Sequence, residues 1–306
     1  MDRRTFLKRG LATSVPAVLL GSSGSAAPND ADKMNRIGCT TVAFRSRFPS
    51  TRADKTAQPD DLTPLDVPRM FAAKLGVHNV ELWSRHFPES SPAYCRKVKT
   101  AAERAGSQVV NIQMDEPGYN LSDPDAAGRK NSIALVKQWM DRAAACGATS
   151  LRANTGGGAK FDVNLTGDAF GELAEHGKKI DVKILLENHG GYSSDPDNLV
   201  AIIKHVDDPF CRALPDFGNM PGNFTPEQRI EFLGKLFPYA HFVSAKGMVF
   251  DAKYAHQSYD VAACVQLGEK AGFKGVYSVE LWAANYSPPD PARAVNEMIR
   301  TITENI

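Results

Sequence analysis

Apolar residues recur along this chain in short runs, each ending in a polar residue and each followed by a longer amphipathic stretch. The clearest run is Lys183-Ile184-Leu185-Leu186-Glu187, which leads into Asn188-His189-Gly190-Gly191. A brief apolar run bounded by turn residues reads as a strand covered on both faces. The same pattern predicts strands over 37–44, 77–83, 108–113, 149–154, 182–187, 211–216, 241–246 and 275–281. Helical periodicity fills the intervals: 65–75, 91–105, 123–146, within 167–179, 195–205, 225–237, 258–271 and 291–302. Gly76, Gly106, Gly147 and Gly272 supply C-terminal stops, while Asp123-Pro124, Asp195-Pro196 and Thr225-Pro226 supply starts. A polar segment over 45–63 is long enough to suggest a functional or mobile loop.

Strict alternation of strand and crossover helix requires parallel strands. Eight such units close into a barrel more readily than they form an open sheet. No Gly-x-Gly-x-x-Gly follows the first strand, which argues against a dinucleotide-binding sheet. The expected fold is therefore α/β, a single (β/α)8 TIM barrel over residues 36–306.

The N-terminus has a different character. Arg3-Arg4 followed by Phe6-Leu7-Lys8, an apolar segment over 11–20 and small residues over 21–27 give the order of an export signal. It resembles the twin-arginine type, which implies a protein folded before export and a periplasmic or exported location. Residues 1–27 are expected to be the signal peptide, cut after Ala26 or Ala27, and 28–35 a linker. The full chain of 306 residues carries a net charge of +1. Loss of four basic residues and one acid with the signal leaves about −2. Nucleic-acid binding has no electrostatic support, and no run is long enough for a membrane span in the mature protein. Five widely spaced cysteines without a Cys-x-x-Cys give neither a disulfide framework nor a thiolate zinc site, and read as buried small hydrophobes.

Aligning the strand ends produces a polar ring: Glu81, Gln113, Arg152 with Asn154, Glu187, Asp216, Lys246 and Glu280. In a closed barrel these converge at the carboxyl-terminal mouth, where such folds keep their chemistry. Three acids held together raise one another's pKa unless a cation neutralises them, and an all-oxygen set suits Mn2+ or Mg2+. Trp83 and Trp282 follow strand ends, where aromatic faces can pack on sugar rings. His189, just past Glu187, and His86, on the loop after the second strand, are the histidines nearest the mouth.

Glu187 in Leu-Leu-Glu-Asn-His, Asp216 in Leu-Pro-Asp-Phe-Gly-Asn and Glu280 in Ser-Val-Glu-Leu-Trp resemble the metal-binding acids of the xylose isomerase-like barrels, the sugar phosphate isomerase/epimerase group. The resemblance covers about residues 36–304. It implies that Glu187, Asp216 and Glu280 hold a divalent metal, that Glu187 and Glu280 also shuttle a proton, and that the substrate is a sugar. One position departs from the pattern: Ser244 stands where the family's strand-7 histidine ligand would be. Lys246 shares its strand face and could act as cation, electrophile or base. His189 or a water could complete the metal shell, or the metal could bind weakly.

The expected activity is metal-assisted proton transfer beside the carbonyl of an unphosphorylated sugar or keto-sugar, giving isomerisation or epimerisation. Departure of a β-substituent in the same site would make it a lyase or dehydratase on a keto-sugar or keto-glycoside. His189, Arg152, Asn154, Gln113, Glu81, His86 and Trp282 are the candidate substrate contacts. Two rivals are a non-catalytic sugar-binding barrel and a phosphodiesterase-like enzyme of the kind found among DNA-repair endonucleases with this barrel. The second lacks its histidine-rich ligands and a basic surface here. Homo-oligomerisation is possible in this group, but no sequence feature marks an interface.

Overall fold

The structure, a computed structural model, describes residues 30–306 except 53, 55, 159, 221–223 and 284–286. The expected export signal lies outside the described residues. Within the expected linker, Asp30–Met34 form a short helix, α1, and Lys33 Nζ donates to the Thr303 carbonyl at 2.7 Å.

Eight parallel strands follow: β1 Ile37–Thr40, β2 Asn79–Trp83, β3 Gln108–Gln113, β4 Ser150–Arg152, β5 Lys183–Glu187, β6 Cys211–Leu214, β7 Phe242–Gly247 and β8 Val276–Leu281. The helices between and after them are α2 Val67–Leu75, α3 Pro92–Arg104, α4 Ala126–Cys146, α5 Val163–Ile180, α6 Pro196–Val206, α7 Pro226–Leu236, α8 Val261–Lys270 and α9 Pro291–Asn305. Neighbours in sequence are neighbours in the sheet, and β1 pairs with both β2 and β8. The architecture is a nearly closed (β/α)8 barrel, as the alternation of runs predicts. Between β6 and β7 there are two isolated bridges, Ala213 with Ala240 and Asp216 with Ser244, instead of a ladder. Pro215 stands in this seam without an N–H to donate.

Three strand ends fall short of their expected positions, the fourth strand stopping at Arg152 and two others for plain local reasons. The first strand leaves the sheet at Thr40, whose hydroxyl accepts from the Val42 N–H and starts a 3-10 turn over Thr41–Arg47. The sixth stops at Leu214, before Pro215. Conversely α5 begins earlier than expected, because Asp162 caps it through the N–H groups of Asn164 and Leu165. Thr225 and Gln228 form a reciprocal capping box on α7.

The main core lies between strands and helices and includes Leu82, Ile112, Leu151, Leu186, Ala213, Val243 and Val279. A second, small cluster joins Leu185, Leu214 and Phe242 with Val110. Leu185, Leu214 and Phe242 share parity with Glu187, Asp216 and Lys246, so they face the barrel axis below the polar mouth. All five cysteines are buried and unpaired, and among the described residues no helix is long and apolar enough to cross a membrane.

Candidate active site

The carboxyl ends of β5, β6 and β8 bring three buried acids together. One carboxylate oxygen each from Glu187, Asp216 and Glu280 lies within 4.8 Å of the others. Two cations from facing strands meet them. Lys246 Nζ is 3.1 Å from Asp216 Oδ2 and 2.9 Å from Glu280 Oε1, and donates to Asn219 Oδ1 at 2.7 Å. Arg152 Nε is 2.9 Å from Glu187 Oε2. Gln113 Nε2 donates to Glu280 Oε2 at 2.9 Å, and Asn219 Nδ2 to Glu187 Oε1 at 3.3 Å. Asp216 Oδ1 accepts the backbone N–H groups of Gly218 and Asn219 at 2.7 and 2.8 Å, a tight turn that locks its rotamer.

Burial pushes the Glu187 carboxyl well above the usual carboxylate range, with Arg152 opposing and the neighbouring Asp216 adding to the rise. Burial works against ionised Asp216 too, but there Lys246, the Ser244 hydroxyl and the Asn219 N–H prevail and the pKa falls. Burial works against the charge of Lys246, yet Asp216, Glu280 and Glu187 outweigh it and keep it an ammonium. Burial also opposes the charge of Arg152, and Asp115 with Glu187 overcomes that.

Above this cluster opens a cavity of about 490 Å3. Of the candidates read from sequence, Gln113, Arg152, Asn154, His189, Lys246, Glu280 and Trp282 line it, as does Trp83. Glu187 and Asp216 do not reach its surface, and are paired with Arg152 and Lys246 on its wall. Ser244, in the departing position, is fully buried with its hydroxyl 3.5 Å from Glu280 Oε2. Trp282 is 43% exposed, with Trp83 edge-on at 6.3 Å and the Arg45 guanidinium 4.6 Å from its ring centre. Burial, then Arg152, lowers the pKa of His189, leaving a neutral imidazole on the wall.

The structure sets two candidates apart from the cavity. Glu81 is fully buried beneath it, accepting from Asn111 Nδ2 at 2.7 Å and Ser278 Oγ at 2.6 Å. A register shift puts Glu81 opposite Asn111 and leaves Val110 as the extra residue. His86 is buried, stacked on Phe48 at 3.7 Å, with Nε2 3.1 Å from Thr51 Oγ1. Neither residue lines the cavity, although His86 packs edge-on at 5.0 Å against Trp83, which does.

One residue of consequence escaped the reading of strand ends. Asp115 takes Arg152 Nη1 at 2.6 Å and Nη2 at 3.3 Å, Asn154 Nδ2 at 3.1 Å and Trp83 Nε1 at 2.6 Å. It thereby fixes one cation and one aromatic wall of the cavity. Extending the alternation Asn111, Gln113 by one step would have found it. Asn219, bridging Lys246 and Glu187, was findable only as the last residue of the Asp-Phe-Gly-Asn turn.

A family model for xylose isomerase-like TIM barrels matches residues 70–302. The chain belongs to that family. No curated protein matches it in sequence. Solved structures of the same fold include a xylose isomerase-like TIM barrel protein from Mycobacterium smegmatis in complex with magnesium, at 18% identity and TM-score 0.64, covering 90% of this chain and 98% of that one. A 3-keto-D-glucoside 4-epimerase from E. coli aligns at 15% identity and TM-score 0.64, covering 87% and 99%. A D-allulose 3-epimerase from Methylomonas sp. aligns at 11% and 0.66, covering 89% and 98%.

In this xylose isomerase-like barrel the acid triad is compatible with a divalent metal. Its donors are all oxygen, as hard cations prefer. Glu187 Oε2 and Asp216 Oδ2 are buried and accept no directed hydrogen bond: the cations beside them stand close enough to attract but out of line to donate. Buried polar atoms left so are costly, and a bound ion would satisfy them.

Proposed function

We propose that the protein is a sugar isomerase or epimerase acting on an unphosphorylated sugar or keto-sugar by proton transfer beside a carbonyl, with Mn2+ or Mg2+ held by Glu187, Asp216 and Glu280. The observation that carries this reading is the meeting of those three carboxylates within 4.8 Å under a cavity walled by cations and tryptophan. Relatives in fold that act on sugars, the 3-keto-D-glucoside and D-allulose epimerases, support it. When bound, the metal supplies Lewis-acid polarisation of the carbonyl and of the negative charge that develops on its oxygen.

The chain's own residues do the rest. Glu280 lines the cavity and is the carboxylate that meets the substrate's C–H; Glu187 is its partner across the triad. Lys246 places a positive charge on the same wall, where an oxygen gains charge in the transition state. Trp282 offers an exposed face to a sugar ring, while Gln113, Asn154 and His189 supply hydrogen bonds for hydroxyls. Arg152 and Lys246 each have carboxylate partners, and Arg85, bonded to the Asp115 carbonyl, is the other cation on the cavity wall. The export signal expected at the N-terminus favours an unphosphorylated substrate and points to a periplasmic or exported enzyme.

The test is solvent deuterium incorporation beside the carbonyl, followed by NMR over a panel of ketoses and keto-glycosides with Mn2+ or Mg2+ present. Exchange by wild type, lost in Glu280→Gln and Glu187→Gln, is the expected result. Binding without exchange anywhere in the panel would leave a sugar-binding barrel and end the catalytic reading. A second reading has one observation in its favour. Lys246 lines the cavity as an ammonium and could protonate a leaving oxygen, which would turn the same deprotonation into elimination. An unsaturated product in the same spectra distinguishes it.

A further inference from the structure

The triad is not waiting empty of positive charge. Lys246 Nζ stands 3.1 Å from Asp216 Oδ2 and 2.9 Å from Glu280 Oε1, two of the three carboxylates that would ligate a metal. Its side chain is 4% exposed, and a hydrogen bond of 2.7 Å to Asn219 Oδ1 fixes the ammonium in place. The backbone leaves it little alternative on one flank: a Cβ added at Gly218 would lie 3.0 Å from the Lys246 stem, so the glycine marks the channel the stem fills. A hard divalent ion binds carboxylate oxygens at roughly 2.0–2.1 Å for magnesium. An ion bound to Asp216 and Glu280 would sit in contact with the ammonium and repel it at a distance where like charges cost most.

We propose that Lys246 is a built-in competitor for the divalent cation: the ammonium holds Asp216 and Glu280 together when no metal is bound, and a metal enters only by displacing it from both carboxylates. The protein is then folded and charge-compensated without metal and binds the ion weakly for a three-carboxylate site. This rests on the reading of the triad as a metal centre, but not on any sugar chemistry.

Mn2+ titration of the full-length protein, followed by the EPR signal of free Mn2+ in the absence of sugar, tests it. Wild type is compared with Lys246→Met, which keeps the stem and removes the charge, and with Lys246→Arg, which keeps the charge. The expected result is that Lys246→Met binds Mn2+ roughly tenfold to a hundredfold more tightly than wild type. Lys246→Arg stays at or above the wild-type dissociation constant. Thermal unfolding gives the second readout: EDTA leaves the wild-type midpoint unchanged, whereas the midpoint of Lys246→Met is low without metal and rises with Mn2+. A Met variant that folds only with Mn2+ present also supports the proposal. Equal or weaker Mn2+ binding by Lys246→Met, a Met variant unfolded even at saturating Mn2+, or a wild-type midpoint that drops with EDTA would each overturn it. Failure of deuterium exchange would sink the sugar chemistry and leave this result untouched. Failure of the titration to separate the variants would do the reverse.

Discussion

Glu81 offers a stability measurement that distinguishes a buried structural carboxyl from one that binds substrate. It is fully buried, and its two hydrogen bonds come from Asn111 and Ser278. No cation is paired with it. Burial raises its pKa from 4.5 to about 7, against the partial help of those two donors. In the unfolded chain the group ionises with its ordinary value. Below pH 4.5 it is protonated in both states. Between 4.5 and about 7 the unfolded chain gives up the proton while the folded protein keeps it, so stability falls as pH rises through that window. Above about 7 both states are ionised and the loss is complete; the difference is worth about 3 kcal/mol.

Glu81→Gln removes the titration and keeps the shape. The amide oxygen can accept from Asn111 and the amide N–H can donate to Ser278 Oγ. The variant should therefore match wild type at pH 4.5 and exceed it at pH 8 by up to about 3 kcal/mol, measured by urea unfolding at both pH values with equal slopes. Its KM for whatever sugar the enzyme accepts should be unchanged, since no atom of Glu81 reaches the cavity. A stability difference that does not vary with pH would refute the argument about burial. A raised KM at unchanged stability would return Glu81 to the substrate site.

Other outcomes follow from the same contacts. Asp115→Ala strips Arg152 of its bidentate partner and Trp83 of its acceptor, so unfolding should be easier by about 3–5 kcal/mol in chemical denaturation. Removing Arg300 from the exposed face of α9, where it pairs with Glu297 and Glu304, should leave the midpoint within error. Burial lowers the pKa of His86 to about 3, so wild type loses stability as pH falls from 6.5 towards 3, while the unfolded chain takes up the proton first. His86→Phe should shift the acid-unfolding midpoint to lower pH; an unmoved midpoint would mean the ring is not sealed from water. Trp282→Ala should raise KM several-fold with kcat nearly constant if the exposed ring only holds substrate, and initial rates over a range of sugar concentrations separate the two constants.

Much of the barrel is legible in the order of residues because its signals are local. Glycine stops, proline starts and capping acids mark the helices, and uninterrupted apolar runs mark strands buried on both faces. The side-chain period of two also tells which residues face the barrel axis. It does not tell how high each sits along that axis. Strands in a closed barrel are tilted, so residues on one rung of the hydrogen-bond ladder lie at different heights. Glu81 pairs with Thr40 on β1, and Cys39 pairs with Val279 on β8. Counting rungs alone would put Glu81 beside Glu280. In the barrel it meets Ser278, one pleat lower, and is sealed in. His86 fails differently: a 3-10 turn over Ser84–His86 folds it back onto Phe48, from the far side of a long polar segment. Nothing in the spacing of those two residues announces the contact.

The placement of the cations shows how site and scaffold depend on each other. Seven of the eight strand junctions are backbone ladders, and the eighth, between β6 and β7, has two isolated bridges beside Pro215. Asp216 lies one residue past Pro215 on the β6 side and Lys246 lies on β7, so their 3.1 Å ion pair crosses this seam. Lys246 then reaches Glu280 on β8 at 2.9 Å. Side-chain charge thus ties the sheet together where backbone pairing is sparsest. The apolar cluster of Leu185, Leu214 and Phe242 closes the barrel below, so these charges are screened by water on one side only. The same low screening that makes the pair an effective clasp without metal makes the field of the Lys246 ammonium strong at the cavity floor once a metal has displaced it from the carboxylates. A substitution at Lys246 therefore acts on the seam and the chemistry together. Lys246→Arg keeps a charge across the seam while misplacing it, and separates the two effects: the unfolding midpoint should be largely retained and kcat lost. If midpoint and kcat fell in proportion, the clasp and the catalytic field would have to be one and the same contact.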